Sequence, residues 1–285
     1  MKLVTWNTQW CRGLDGVVSP QRIVDGARQL ADFDVLCLQE IAQGFDCMPG
    51  VPGDQPAQLA ALLPGYQVFF GAALDEFDAH GRRRRFGNLI ATRLPVLQVQ
   101  HHPLPWPADA SVPSMPRICS ELTVRDPGLG VLRILTTHLE FYSAPQRMAQ
   151  ARALGALHTQ ANEQAAAALA AQAAQASNGG YDASSPFGVK PHTPHALLCG
   201  DFNLPPDSAE YRCFGAADWH DAWRIARPAE PHPPTFLLFD RTHGPHPIAC
   251  DFVFVSSSLV GSVKRIEVDG QTRASDHQPV ALHIG

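Results

Sequence analysis

Gly200-Asp201-Phe202-Asn203 follows directly on the apolar run Ala196-Leu197-Leu198-Cys199. A buried strand that ends this way projects a carboxylate and, two residues on, a carboxamide toward one side, an oxygen-rich corner suited to a hard metal ion and a phosphate. Asp and Asn are also ordinary turn formers after a strand, so this segment alone does not separate chemistry from a turn. Four more polar clusters at strand-like ends shift the balance: Thr5-Trp6-Asn7, Leu38-Gln39-Glu40, Thr136-Thr137-His138-Leu139 and Ser275-Asp276-His277-Gln278-Pro279. A phosphodiester carries negative charge and repels hydroxide, so its hydrolysis calls for a cation on the non-bridging oxygens and a base near the water. Carboxylate and carboxamide oxygens suit Mg²⁺ or Mn²⁺, and no soft Cys/His cluster for zinc is legible in the spacing.

Each candidate has a plainer alternative. His277 reads equally as a core or surface histidine, except that Asp276 and the distant Asp251 offer a carboxylate to fix its tautomer and stabilise its imidazolium. For His138 the alternative is a strand-end histidine bonded to backbone. Glu40 ends a fully apolar run, where an unpaired charge at the rim of a buried sheet is costly and a bound cation compensates it. Asp251 lies inside Ala249-Cys250-Asp251-Phe252-Val253-Phe254-Val255, and Asp is a poor strand residue.

Positioning these groups takes many strands. Strands are expected at Leu3–Trp6, Asp34–Leu38, Gln67–Phe70, Asn88–Thr92, Ile118–Val124, Val131–Thr137, Ala196–Gly200, Asp251–Val255, Val263–Val268 and Pro279–Ile284. Ser19-Pro20 reads as a helix start, with Ile23, Ala27 and Leu30 on one face. Few helices separate the strands, which excludes a simple doubly wound sheet and favours two mixed sheets face to face with helices outside. Residues 161–176 hold ten Ala and extend a helix beginning near Pro145, and Asn178–Pro194 is the loop that returns to the strand before Asp201. These 161–194 residues are read as an insertion in a single domain spanning 1–285.

The chain has 285 residues, 45% of them hydrophobic, enough for a substantial core. Twenty-two Lys plus Arg against 27 Asp plus Glu give a net charge of -5, so no global basic field grips nucleic acid. Seven scattered Cys do not form a disulfide framework, and Cys37 and Cys199 sit in apolar runs as small buried hydrophobes. The start lacks a secretory signal and no run reaches membrane-spanning length, so a cytoplasmic protein is expected, and a monomer. The four consecutive residues Arg82–Arg85 stand out in an acidic chain. A charge run is ordinarily a solvated loop, but its place before the strand Asn88–Thr92 makes Arg83, Arg84, Arg85 and Asn88 candidate substrate contacts.

Taken in order, seven pieces resemble the endonuclease/exonuclease/phosphatase superfamily, which includes deoxyribonuclease I, apurinic-site endonucleases, sphingomyelinases, inositol-polyphosphate 5-phosphatases and deadenylases. They are the segments ending at Asn7 and Glu40, Gly87–Pro95, Thr137-His138-Leu139, Gly200–Asn203, Cys250–Val255 and Ser275–His277. The resemblance implies a four-layered α/β sandwich of two packed mixed β-sheets flanked by helices. It implies Glu40 as principal metal ligand with Asn7 and Asp276, Asp201 and Asn203 orienting water and phosphate, His277 paired with Asp251, and His138 as a second phosphate-contacting imidazole. The implied cofactor is Mg²⁺ or Mn²⁺. The implied activity is phosphodiester hydrolysis, first as a nuclease on DNA or RNA, alternatively on a lipid or small phosphoester in the manner of a sphingomyelinase or phosphatase. A third reading, a catalytically silent binding protein, is disfavoured because every candidate residue is present. Gln9 replaces an acidic ligand of some nucleases, no Glu between Glu76 and Arg93 matches the histidine partner of the secreted deoxyribonucleases, and His138 stands where apurinic-site enzymes have Tyr.

Overall fold

The computed structural model describes residues 1–173, 185–188 and 190–285. In chain order the elements are β1 (Lys2–Asn7), α1 (Pro20–Leu30), β2 (Val35–Gln43), α2 (Gln55–Leu62), β3 (Gln67–Phe77), β4 (Arg83–Thr92), β5 (Val96–Pro103), β6 (Ile118–Asp126), β7 (Gly130–His138), α3 (Ala144–Ala173), β8 (Ala196–Asp201), α4 (Ala209–Ala216), β9 (Trp219–Asp221), α5 (Ala222–Ala226), β10 (Asp251–Ser256), β11 (Val263–Val268) and β12 (Val280–Ile284). They form two six-stranded sheets of order β11-β12-β1-β2-β4-β3 and β5-β6-β7-β8-β10-β9. Each sheet is antiparallel except for one parallel pair, β1 with β2 and β7 with β8. Those two pairs carry Asn7, His138 and Asp201 at strand ends and Glu40 within β2.

Three apolar layers hold the sandwich together. Leu3, Cys37, Ile90, Leu122, Ile134, Cys199 and Val253 fill the space between the sheets. Alternate residues of the same strands, among them Val4, Leu36 and Leu38, pack on Ile23, Val24 and Ala27 of α1 and Leu59 of α2. On the far side Leu135, Leu198, Phe252 and Phe254 receive Ala151 and Leu154 of α3 and Tyr211 and Phe214 of α4. Period-2 alternation on two-sided strands produces this layering, which matches the expected four-layered architecture. Ser19 caps α1, accepting from the Arg22 N–H at 3.4 Å, with Pro20 at the first helical position.

The Ala-rich segment continues α3 as far as Ala173, whereas residues 174–184 and 189, with part of the expected return loop, lie outside the described residues. Most expected strands are longer than anticipated. The Arg run is a correction: it is not a loop, because β4 begins at Arg83 and pairs with β3, Arg85 opposite Asp75 and Arg84 opposite Glu76. The polar edge strand β5, the three-residue β9 and the short helices α2, α4 and α5 were not expected. No helix among the described residues is long and apolar enough to cross a membrane, and all seven cysteines are free.

Candidate active site

β8 reaches the site through a contact only glycine permits. Gly200 has φ +138°, and a Cβ there would lie 1.9 Å from the Thr137 carbonyl oxygen. The next residue, Asp201, is buried and sits opposite His138 in the parallel register and opposite Asp251 in the antiparallel one. Its Oδ2 accepts from Asn7 Nδ2 at 2.9 Å and lies 3.4 Å from His138 Nε2 and 3.7 Å from His277 Nε2. Its Oδ1 accepts from the Asn203 backbone N–H at 2.9 Å. Asn203, at φ +52°, donates its carboxamide Nδ2 to the Leu139 carbonyl at 2.9 Å and lines the pocket.

His277 is fixed from three sides. Its Nδ1 lies 2.9 Å from Asp251 Oδ2, its ring stacks on Phe236 at 4.3 Å and 17°, and its carbonyl accepts from the buried Trp6 indole N–H at 2.9 Å. Burial pulls the imidazole down, but Asp251 and then Asp201 outweigh burial and raise it to about 10. His277 is therefore an imidazolium at neutral pH. His138 is its opposite: burial, with positive Arg117 and His277 nearby, holds it well below 6.5 and neutral. Two histidines beside one carboxylate thus have different charges.

Glu40 interrupts β2. The register shifts between Leu38 and Ile41, and Glu40 takes the left-handed φ of +60°, which for a residue with a Cβ is backbone strain at a bulge that re-aims the side chain. Behind it, buried Gln39 donates to Thr136 Oγ1 at 2.9 Å and ties the two sheets together. Burial and then Asp276 push Glu40 up to about 7. Glu40 and Asp276 share the pocket, and two repelling hard-oxygen carboxylates at one wall fit a divalent cation such as Mg²⁺ or Mn²⁺.

Asn7, expected to assist as a metal ligand, sits between Glu40 and Asp201. Its Nδ2 bridges Glu40 Oε1 at 3.1 Å and Asp201 Oδ2 at 2.9 Å, while its oxygen accepts the Gln9 N–H, because two adjacent carboxylates draw a donor between them. A second correction concerns soft ligands: Asp201, Cys250 and His277 do come together, with ligand atoms within 4.8 Å of one another. That trio suits a cation poorly, since burial pushes the Cys250 thiol well above its ordinary value and His277 holds its proton. Among the described residues Asp251 Oδ1 has no hydrogen-bond partner, and its Oδ2 takes the Cys250 thiol at 3.5 Å.

The pocket holds about 280 Å³ and is walled by Trp10, Phe141, Tyr142, Phe236 and His243 beside the polar groups. Thr235-Phe236, which the family resemblance implies as pocket lining, divides: Phe236 faces the pocket while Thr235 Oγ1 accepts the Cys250 and Asp251 backbone N–H groups at 3.2 Å. Asn88 is buried beside the site and donates to the Ile118 carbonyl at 3.0 Å. The Arg run does not reach the pocket. Arg83 pairs with Asp75 at 2.6 Å, Arg84 with Glu76 and over the Phe45 ring, and Arg85 with Gln43 Oε1 at 2.5 Å. Cross-strand Asp75 and Glu76 answer Arg83 and Arg84, and Asp78 answers Arg82, which eases the mutual repulsion of the guanidinium groups.

Sequence reasoning missed Arg117. It directly precedes β6, 8% exposed, lines the pocket, and its Nε donates to Glu140 Oε2 at 3.2 Å. The available signal was its position: a lone Arg between Pro116 and an apolar strand whose end adjoins His138.

The fold and site place the chain in a known class. The model of the Endonuclease/Exonuclease/phosphatase family matches residues 4–277, and the chain belongs to that family of phosphoester hydrolases. A solved endonuclease/exonuclease/phosphatase from Beutenbergia cavernae is similar at 24% identity and TM-score 0.71, covering 100% of this chain and 72% of that one. The Bacteroides thetaiotaomicron mannosyl-6-phosphatase shares the fold at 18% identity and TM-score 0.60, covering 100% and 99%. The human Nocturnin catalytic domain with bound sulfate shares it at 17% identity and TM-score 0.58, covering 99% and 93%. No curated protein sequence matches the chain.

Proposed function

We propose that this chain is a divalent-cation-dependent phosphoester hydrolase in which Asp201 is the base, His277 the charged phosphate contact, and Glu40 with Asp276 the cation wall. The observation that carries this is the convergence on Asp201 of Asn7, His138 and His277 in one pocket with Glu40 and Asp276. Burial holds Asp201 near 6, His277 and Asn7 easing the shift and Asp251 adding to it, so it is ionised at neutral pH yet basic enough to take a proton from water. Neutral His138 and the Asn203 side-chain oxygen orient that water. His277, kept charged by Asp251, donates Nε2–H to a phosphoryl oxygen as its charge grows. When bound beside Glu40 and Asp276, with Asn7 close by, Mg²⁺ or Mn²⁺ supplies counter-charge for the non-bridging oxygens.

Among substrates, a small or chain-terminal phosphoester fits better than the interior of a duplex. The pocket is bounded by aromatic side chains, and Arg83, Arg84 and Arg85, the candidate polymer track, are engaged with Asp75, Glu76 and Gln43. A panel with Mg²⁺ or Mn²⁺ tests the reading: duplex, abasic and single-stranded DNA, RNA, sphingomyelin, sugar phosphates and p-nitrophenyl esters. Faster turnover of an internal duplex bond than of any terminal or small ester would restore the nuclease reading. No turnover of any of them would overturn the phosphoesterase reading altogether.

A further inference from the structure

Arg117 has unused capacity. A guanidinium carries five N–H donors, and here Nε alone is engaged, on Glu140. Among the described residues its two terminal nitrogens have no hydrogen-bond partner, and they do not figure among the nitrogens sealed inside the protein, as Arg133 Nη1 does. The side chain is nevertheless more than nine-tenths buried, and it faces the same pocket as Glu40, Asp201 and His277. Burying an arginine beside a site and leaving four donors open is costly unless an anion takes them.

Glu140 fixes the fork's direction. It is fully buried, accepts the Tyr142 N–H at 3.0 Å on its other oxygen, and has its backbone N–H held by Gln150 at 2.9 Å. The carboxylate is a rigid stop that holds Nε and leaves the terminal nitrogens uncommitted. On the pocket's flank, Arg117 lines a recess with Asn88, Ile118 and His138, and its charge is felt at His138. The cation wall and the arginine fork are thus separate features of one cavity of about 280 Å³.

We propose that Arg117 is a substrate-binding residue that selects a terminal phosphoryl group, the dianion of a phosphomonoester, over an internal diester, with Glu140 as its positioning residue. A monoester presents three non-bridging oxygens and a second negative charge, whereas a diester presents two oxygens and one charge. With one oxygen given to the cation wall, a monoester leaves two for the open fork's two parallel bonds, whereas a diester leaves one. The proposal rests on the phosphoesterase reading above and narrows it to chain ends and small monoesters.

The test compares p-nitrophenyl phosphate with methyl p-nitrophenyl phosphate at pH 8, which share a leaving group and differ by one anionic oxygen. Removing Arg117 alone strands the buried Glu140 carboxylate, so Arg117→Gln is combined with Glu140→Gln, which preserves an acceptor for the Tyr142 N–H. Wild-type protein should prefer the monoester. The double variant, with an unchanged circular dichroism spectrum, should lose about 100-fold in kcat/KM on the monoester and less than about tenfold on the methyl diester. Arg117→Lys with Glu140 intact should recover part of the monoester loss. Equal losses on both esters, or no loss, overturn the proposal. Calorimetric binding of inorganic phosphate in Mg²⁺ buffer supplies a readout independent of turnover: the double variant should bind at least about tenfold more weakly, and equal affinity again overturns it. If wild-type protein hydrolyses neither ester yet binds phosphate through Arg117, it is the phosphoesterase reading that fails, not the anion site.

Discussion

His277 Nδ1 lies 2.9 Å from Asp251 Oδ2, and this contact sets the charge of the site. His277 is raised to about 10 despite burial, so its imidazolium, and the stability coupled to it, is fully present below the ordinary value of 6.5 and is lost as pH rises through 10. Asp251→Asn removes the largest raising contribution. The expected outcome is a kcat lower by about two orders of magnitude, with the basic limb of the pH–rate profile moved down toward the ordinary histidine range. A basic limb unchanged in the variant would show that His277 charge is not what the rate reports.

Glu40 trades stability for function. Its carboxyl is raised from 4.5 to about 7 by burial and Asp276, so the stability it contributes is present below 4.5 and lost as pH rises through 7. Glu40→Gln keeps an acceptor for Asn7 and does not titrate. In metal-free buffer at pH 8 the variant should be more stable by about 1–3 kcal/mol, the gain vanishing below pH 4.5, while hydrolysis comes to require a higher ion concentration. Urea unfolding at both pH values measures it, and a less stable variant at pH 8 contradicts the assignment.

Gly200→Ala should disturb both fold and site. The added Cβ would meet the Thr137 carbonyl at 1.9 Å in a backbone conformation that L residues rarely adopt. A destabilisation above about 3 kcal/mol is expected, a fall of roughly 6–12 °C in Tm. Gly261→Ala, where nothing lies within 4 Å, is the control and should leave Tm nearly unchanged.

The layered fold and the strand-end residues were legible because apolar runs end in polar residues at a fixed period, and that pattern is local. What stayed hidden depends on partners far along the chain. Arg82–Arg85 looked like a free basic loop because nothing in the run itself announces that Asp75 and Glu76 lie across a hairpin. Arg117 went unnoticed, since its meaning comes from Glu140, 23 residues later. Asn7 was recognised as a site residue, but whether its oxygen or its nitrogen faces the carboxylates is a matter of side-chain orientation that no spacing encodes. Phe141 and His243 of the aromatic wall come from loops that only the folded chain brings to Phe236.

The most direct test of the central claim is p-nitrophenol release by the purified protein in EDTA and then with Mg²⁺ or Mn²⁺ restored, for wild type and Glu40→Gln. The oxygen-lined wall of Glu40 and Asp276 predicts no turnover in chelator, full recovery with either ion, and recovery in the variant only at much higher ion concentration. Undiminished turnover in EDTA, or identical ion dependence in the two proteins, would contradict the account.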